Sequence, residues 1–210
     1  MALSKTMESE KTSDPKTHIS YDEFLRLYSN GERLEWVSGR AVKMSAVTFG
    51  HDIVRGFLYS IMREYADIKG LGVVTGEAYN TKLGFQLPGR SPDIMFIAQT
   101  NTTRILNAHL DGPPDLAVEV LSPGSRRVDK VEKYREYQQA GVREYWIIDP
   151  KREEQNFYLR NENGVFQPKE ANEQGIYHCP TIEGFWLKTE WLWHKPRLTV
   201  TQVVREWGLF

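Results

Sequence analysis

The chain has 210 residues, of which 40% are hydrophobic, and its six Trp, ten Tyr and nine Phe are sufficient for one substantial core. Its 27 Lys and Arg balance 28 Asp and Glu to give a formal net charge of -1, so nucleic-acid binding cannot rest on an overall basic charge. The single cysteine, Cys179, excludes an internal disulfide and a zinc site built from several thiolates.

The first residues are polar and charged. We interpret residues 1–19 as a flexible leader before a single domain over residues 20–210. No stretch of the sequence approaches the roughly 18 consecutive apolar residues of a membrane helix. The sequence therefore predicts a soluble, cytoplasmic protein without membrane association.

The N-terminal half of the domain alternates helices and strands. Ser20 followed by Glu23 is a capping-box pattern and predicts a short helix. The alternating segments 33–37 and 40–44 predict a hairpin. Apolar residues recur at helical spacing over residues 51–65, which predicts a long amphipathic helix packed on the core.

The middle of the chain contains a predicted βαβ unit. Before it, three strands are predicted, over residues 72–75, 79–85 and 93–98. An apolar strand at 116–121 is then followed by a helix at 127–140 and a strand at 144–149. Strands joined by such a crossover run parallel in one sheet.

The C-terminal part is rich in β-structure. Asn163-Gly164 predicts a hairpin between segments 157–160 and 165–169, and further short strands are expected between residues 176 and 192. Residues 199–207 have the pattern of a short amphipathic helix. The expected fold class is α/β (α+β), a mixed sheet flanked by helices with a β-rich C-terminal portion.

Glu119 is the most informative residue for function. It lies within the apolar run 116–121, of the kind found in strands covered on both faces, where a carboxylate is costly unless it is paired or bound to a metal. An edge strand with Glu119 in solvent is the alternative. Asp93 begins another predicted strand, and if the strands pair, both acids can hold a divalent cation from one sheet face.

A lysine is expected near such an acid pair, but position 121 is Leu. Asp129, Lys133 and Tyr137 share one face of the crossover helix, so Lys133 can return to the acids, with Lys130 as the weaker candidate. A surface ion pair between Asp129 and Lys133 is the alternative. The predicted apolar stripe of this helix lies elsewhere, at Val128, Val131 and Tyr134.

Two further residues have candidate roles. Glu35 lies in a predicted strand. His51 is predicted on the buried face of the long helix, where it can be a metal ligand, a proton shuttle or a hydrogen-bonded core histidine. A basic cluster at the start of the crossover helix provides either nucleic-acid phosphate contacts or solvated charges, and consists of Arg126, Arg127 and Lys130.

Several segments together resemble the Uma-type restriction endonuclease family. They are residues 21–24, 33–40, 50–51, 91–93, 114–123, the Asp129-x3-Lys133-x3-Tyr137 pattern and residues 140–150, within a similarity that covers roughly residues 20–167. The resemblance implies a restriction-endonuclease-like core of the P-D…(D/E)-x-K type. It also implies cleavage of DNA that depends on Mg²⁺, with Mn²⁺ as a substitute.

The resemblance also implies roles for individual residues. It maps the metal-binding acids onto Asp93 and Glu119, favours Lys133 as the relocated lysine, and places Glu35 and His51 in the family motif. Residues after about 175 match less clearly.

Two other functions remain open at this point. A catalytically silent member of the fold would serve in binding or assembly, and a hydrolase of another phosphodiester or small molecule would share the site. A homodimer is expected if two strands are cut. The tryptophans that could form its interface, or belong to the core, are Trp186, Trp191, Trp193 and Trp207.

Overall fold

A computed structural model describes residues 18–28, 34–44, 46–77 and 79–209, so residues 1–17 of the predicted leader lie outside it. The helices are α1 (Tyr21–Tyr28), α2 (Phe49–Lys69), α3 (Tyr134–Ala140) and α4 (Val200–Glu206), with a π-helical turn over Val128–Lys133 and 3-10 turns over Gln99–Arg104 and Thr189–Leu192. None of the helices in these ranges is long and apolar enough to cross a membrane.

The strands form three sheets. They are β1 (Leu34–Val37), β2 (Arg40–Lys43), β3 (Gly72–Thr75), β4 (Asn80–Lys82), β5 (Gly89–Arg90), β6 (Ile94–Ala98), β7 (His109–Asp111), β8 (Leu116–Val120), β9 (Glu144–Asp149), β10 (Glu154–Arg160), β11 (Phe166–Lys169), β12 (Ile176–His178) and β13 (Trp186–Lys188). The main sheet has the order β11-β10-β9-β8-β6-β3, the second sheet has the order β2-β1-β5-β4-β7, and β12 pairs with β13.

The main sheet confirms the predicted βαβ unit. β8 and β9 are parallel, with Leu116 opposite Glu144, and the other pairs in this sheet are antiparallel. The mixed α/β fold class is confirmed as well. The predicted strand over residues 79–85 is too long, because β4 ends at Lys82 and a turn follows it.

Helix α2 covers one face of the main sheet. It begins at the N-cap Thr48, whose hydroxyl accepts a hydrogen bond from the His51 backbone N–H at 3.2 Å, and ends at Gly70 in the left-handed conformation with φ 64°. The fully buried Leu58 and Ile61 belong to the same cluster as Val118 of β8. The helix therefore fixes His51 at one end of the sheet.

The other face of the main sheet packs against α3. Val118 and Val120 belong to the core cluster of α2, whereas Ala117 and Leu121 belong to a second cluster that includes Tyr137 of α3. Side chains alternate between the faces of a strand, so Glu119 lies on the α3 face.

The aromatic C-terminal end packs within the chain. Trp191 is buried, and Trp186, Trp193 and Trp207 pack against the large core cluster. Of the two alternatives for these tryptophans, the core is the one observed.

A buried carboxylate ties the C-terminal segment to the main sheet. Glu144 is fully buried at the start of β9, where its Oε1 accepts hydrogen bonds from Trp146 Nε1 and the Tyr177 hydroxyl, both at 2.6 Å. Its Oε2 accepts from Cys179 Sγ at 3.3 Å and the Thr181 backbone N–H at 3.1 Å. Burial and the charge of Glu144 raise the pKa of the Cys179 thiol, which therefore stays protonated and can donate.

Glu144→Ala is expected to lower the free energy of unfolding by about 3 kcal/mol or more, because it leaves several buried donors without an acceptor. Urea denaturation measures the change. The exposed Glu154→Ala at the start of β10 is the control and should change stability by less than about 0.5 kcal/mol. Equal effects of the two substitutions would show that the hydrogen bonds of Glu144 contribute little.

Candidate active site

The pairing of β6 with β8 places Asp93 and Glu119 together. The strands are antiparallel with Ile94 opposite Val118, and the next pair in that register is Asp93 and Glu119. Opposed residues of an antiparallel pair project from the same sheet face. Both acids are buried, with exposed fractions of 5% and 2%. The expected pairing of the two strands is therefore confirmed.

Asp93 is oriented by the neighbouring strand and by α2. Its Oδ2 accepts a hydrogen bond from the Val120 backbone N–H at 2.8 Å and lies 3.1 Å from Nε2 of the buried His51. The tautomer of His51 with its proton on Nε2 donates to this oxygen. The other ring nitrogen, Nδ1, is buried without a hydrogen-bond partner among the described residues.

Glu119 contacts a buried ammonium group. Its Oε1 accepts hydrogen bonds from Lys133 Nζ at 2.9 Å and from the Tyr137 hydroxyl at 2.8 Å. The same ammonium lies 3.2 Å from Glu35 Oε1 and 3.3 Å from Asp129 Oδ1. Lys133 thus lies among three carboxylates that come from β1, β8 and the π-helical turn.

The π-helical turn explains why Lys133 faces inward. A π turn contains one more residue than an α-helical turn and shifts the phase of the helix. Asp129 and Lys133 are buried, whereas Val131, which the sequence analysis placed in the inward stripe, is 42% exposed. The prediction that Val131 belongs to the buried face of this helix is therefore wrong. The expected ion pair between Asp129 and Lys133 exists, but it is buried and does not lie at the surface.

Arg90 is a residue of the site that the sequence analysis missed. Its guanidinium donates to Glu35 Oε2 at 2.7 Å and binds both carboxylate oxygens of Glu136 at 2.7 and 2.8 Å. The Ser91 backbone N–H donates to Glu35 Oε1 at 3.2 Å. The only sequence signal was an arginine just before the Ser91-Pro92-Asp93 segment.

The two cations around Glu35 set its ionisation. Burial opposes its charge, but Lys133 and Arg90 together lower the pKa of Glu35 below its usual value. Burial also opposes the charge of Arg90, but the carboxylates of Glu136 and Glu35 raise its pKa. Glu35 is thus an ionised anchor that holds the Lys133 ammonium in place.

The buried cluster carries more negative than positive groups. Its buried carboxylates are those of Glu35, Asp93, Glu119 and Asp129, and its buried cations are Lys133 and Arg90, so with neutral His51 the formal balance is two minus four, or -2. The partly exposed Glu136, which also pairs with Arg90, is not counted and would make the balance more negative. Burial is the largest cause that raises the pKa of Glu119 well above its usual value, and Asp129 and Asp93 add to it against the attraction of Lys133. Glu119 is therefore the acid that is hardest to ionise without a further cation.

The acid pair retains oxygens for a cation. Asp93 uses only Oδ2 and Glu119 only Oε1 in the hydrogen bonds above, so Asp93 Oδ1 and Glu119 Oε2 accept none from the described residues. Within those residues no three His, Cys, Asp or Glu side chains form a complete metal cage. Mg²⁺ commonly uses one or two protein carboxylates and completes its shell with water and phosphate, so this donor set fits it.

The predicted phosphate-binding residues lie outside the buried cluster. Arg126 pairs with Asp149 at 2.6 Å, and the exposed Arg127 pairs with Glu132 at 2.8 Å. Lys130 is partly buried in the π-helical turn.

The family comparison supports a nuclease role for this fold. The structure has a mixed sheet flanked by helices, with an acid pair on adjacent central strands. The model of the Uma2 family, described as "Putative restriction endonuclease", matches residues 21–190, and the chain belongs to this family.

A solved structure has the same fold. It is a putative nuclease belonging to DUF820 from Anabaena variabilis ATCC 29413, with a TM-score of 0.67 and 18% sequence identity over 83% of this chain and 97% of that chain. No curated protein matches the sequence.

Glu119→Gln is expected to change how stability depends on pH without metal. Because the pKa of Glu119 is raised in the folded state, its protonated form contributes stability that is lost as pH rises through that folded-state value. The neutral amide has no proton to lose, so the stability of the variant relative to the parent should rise by about 1 kcal/mol or more as pH passes through that value, on top of a pH-independent cost for the lost contact with Lys133.

Urea denaturation in EDTA across a pH series measures the effect, with the exposed Glu162→Gln as the control. Identical pH profiles for Glu119→Gln and the parent would contradict the assignment of the raised pKa.

Proposed function

We propose that the protein is a metal-dependent endonuclease that hydrolyses phosphodiester bonds in DNA, with Mg²⁺ as the cofactor and Mn²⁺ as a substitute. The observation that carries the proposal is the buried cluster with a formal charge of -2, in which Asp93 and Glu119 each keep one oxygen that accepts no hydrogen bond from the described part of the chain. Membership in a family described as restriction endonucleases supports the choice of reaction.

Asp93 and Glu119 would hold the divalent cation. When bound, the cation supplies positive charge to the phosphate in the transition state and lowers the pKa of the attacking water. The Lys133 ammonium, 2.9 Å from Glu119, adds a fixed positive charge that can orient the water and stabilise the developing negative charge on phosphate.

The other contacts of the cluster would act through these groups. His51 orients Asp93 through its Nε2 contact, and Glu35 and Asp129 hold the ammonium of Lys133. Arg90 in turn fixes Glu35. These are positioning roles, in which the residues set the geometry of the groups that meet substrate.

We also propose Arg126, Arg127 and Lys130 as phosphate contacts, because the near-neutral chain needs local positive charge to bind DNA. A homodimer would place two sites on the two strands of a duplex. The compartment we propose is the cytoplasm, which suits a chain with one buried, unpaired cysteine.

The alternative function is a catalytically silent module for binding or assembly. It predicts that Lys133 points away from the acids. The distance of 2.9 Å between Lys133 Nζ and Glu119 Oε1 counts against that alternative and favours the nuclease.

Asp93→Asn and Lys133→Met are each expected to lower DNA cleavage by at least about 100-fold, because one weakens the metal site and the other removes a charge next to the phosphate. His51→Ala should lose about 10- to 100-fold, as expected for a residue that orients a ligand. Plasmid and oligonucleotide cleavage with Mg²⁺ or Mn²⁺ measures these changes.

The exposed Asp67→Asn on α2 is the matched control and should leave cleavage unchanged. Addition of EDTA should stop the reaction. Intact DNA of every tested kind with the parent protein and either ion, or full activity of Asp93→Asn, would refute the proposed reaction.

A further inference from the structure

A cleft of about 520 Å³ is lined by residues that lie close along the chain to His51 and Glu119. One wall contains Thr48 and Gly50, which directly precedes His51, the partner of Asp93. Another wall contains Leu121 and Ser122, which follow the strand of Glu119. Each wall therefore lies within three positions along the chain of a residue of the candidate active site, His51 or Glu119.

The cleft is locally basic although the chain is nearly neutral. Its lining includes Arg126, Lys151 and Arg152 but only one acid, Asp149, which gives a formal balance of three minus one, or +2. Asp149 is paired with Arg126 at 2.6 Å. Lys151 and Arg152 are exposed and form no ion pair within the described part of the chain. Both remain available to phosphates.

An exposed aromatic residue lies between two residues of the cleft wall along the chain. Phe49 is the first residue of α2, between Thr48 and Gly50 of the cleft wall, and it is 82% exposed. Of the other large apolar side chains described, only Phe85 is comparably exposed, at 97%, and no residue of its turn lines the cleft. Burying a phenylalanine is worth about 1.5–3 kcal/mol, so the Phe49 ring gains stability from a partner.

We propose that this cleft binds single-stranded nucleic acid, with Lys151 and Arg152 on the phosphates and Phe49 stacked on an unpaired base beside the bond to be cut. A cationic groove with an adjacent aromatic ring is how proteins hold single strands. The faces of paired bases are covered within a duplex, so a stacked Phe49 requires a base that has left the stack. The choice of DNA over RNA rests on the proposed endonuclease function.

Binding of a fluorescent oligothymidylate and of a matched duplex, measured by anisotropy in EDTA, tests the proposal without cleavage. The single strand should bind at least about fivefold more tightly than the duplex. Phe49→Ala should weaken single-strand binding by roughly 5- to 100-fold, the loss expected for one stacked base, whereas Phe49→Trp should retain it. Phe85→Ala is the matched control and should change affinity by less than about twofold.

Two lysine and arginine variants test the phosphate contacts. Lys151→Ala and Arg152→Ala should each reduce the slope of log affinity against log salt by about 0.7, because each removes one phosphate contact with a single strand. Equal effects of Phe49→Ala and Phe85→Ala, or tighter binding of the duplex, would overturn the proposal.

The outcomes also separate this inference from the proposed function. Binding that depends on Phe49, together with no cleavage in Mg²⁺ or Mn²⁺, would support the cleft and refute the nuclease. Metal-dependent cleavage together with binding that is insensitive to Phe49 would support the nuclease and refute the cleft.

Discussion

The Lys133 ammonium among three buried carboxylates is the interaction on which the site depends. Glu35, Glu119 and Asp129 come from a strand of the second sheet, a strand of the main sheet and the π-helical turn, so the cluster forms only when these elements are assembled. Removing one partner of a buried ion pair typically costs 3–5 kcal/mol, because the other charge remains without compensation. The same contacts that join the two sheets therefore also set the geometry of the candidate active site.

Two buried glutamates of neighbouring strands have different surroundings, and their carboxylates are therefore stabilised in different ways. Glu144 has four hydrogen-bond donors and needs no cation, which is the solution expected for a carboxylate that only joins segments of the fold. Glu119 is buried in a cluster with excess negative charge, and burial in the first place, with Asp129 and Asp93 adding to it, raises its pKa. An arrangement that weakens the folded state without metal is typical of sites that bind a cation, because stability is there exchanged for function.

The sequence was sufficient to predict the strands that carry the acids of the site, but not the side-chain contacts around them. Glu119 could be identified because a carboxylate in an apolar strand needs a partner, and the crossover pattern predicted the parallel strands. Regular spacing left two possible inner faces for the crossover helix, one with Lys133 and one with Val131. The sequence could not decide between them, because a π turn has no clear sequence signature. Arg90 escaped detection because its partners Glu35 and Glu136 lie 55 and 46 positions away along the chain.

The π-helical turn makes the spacing of this segment sensitive to insertion and deletion. One residue rotates an α-helix by about 100°, so loss of a single residue from the turn would rotate Tyr137 of α3 away from Glu119 while the start of the turn stayed in place. A change in length here would thus damage the site together with the packing of α3 on its face of the main sheet. Among related chains, a conserved residue count between the strand of Glu119 and Tyr137 would mark those that keep this ammonium, even where the side chains between them differ.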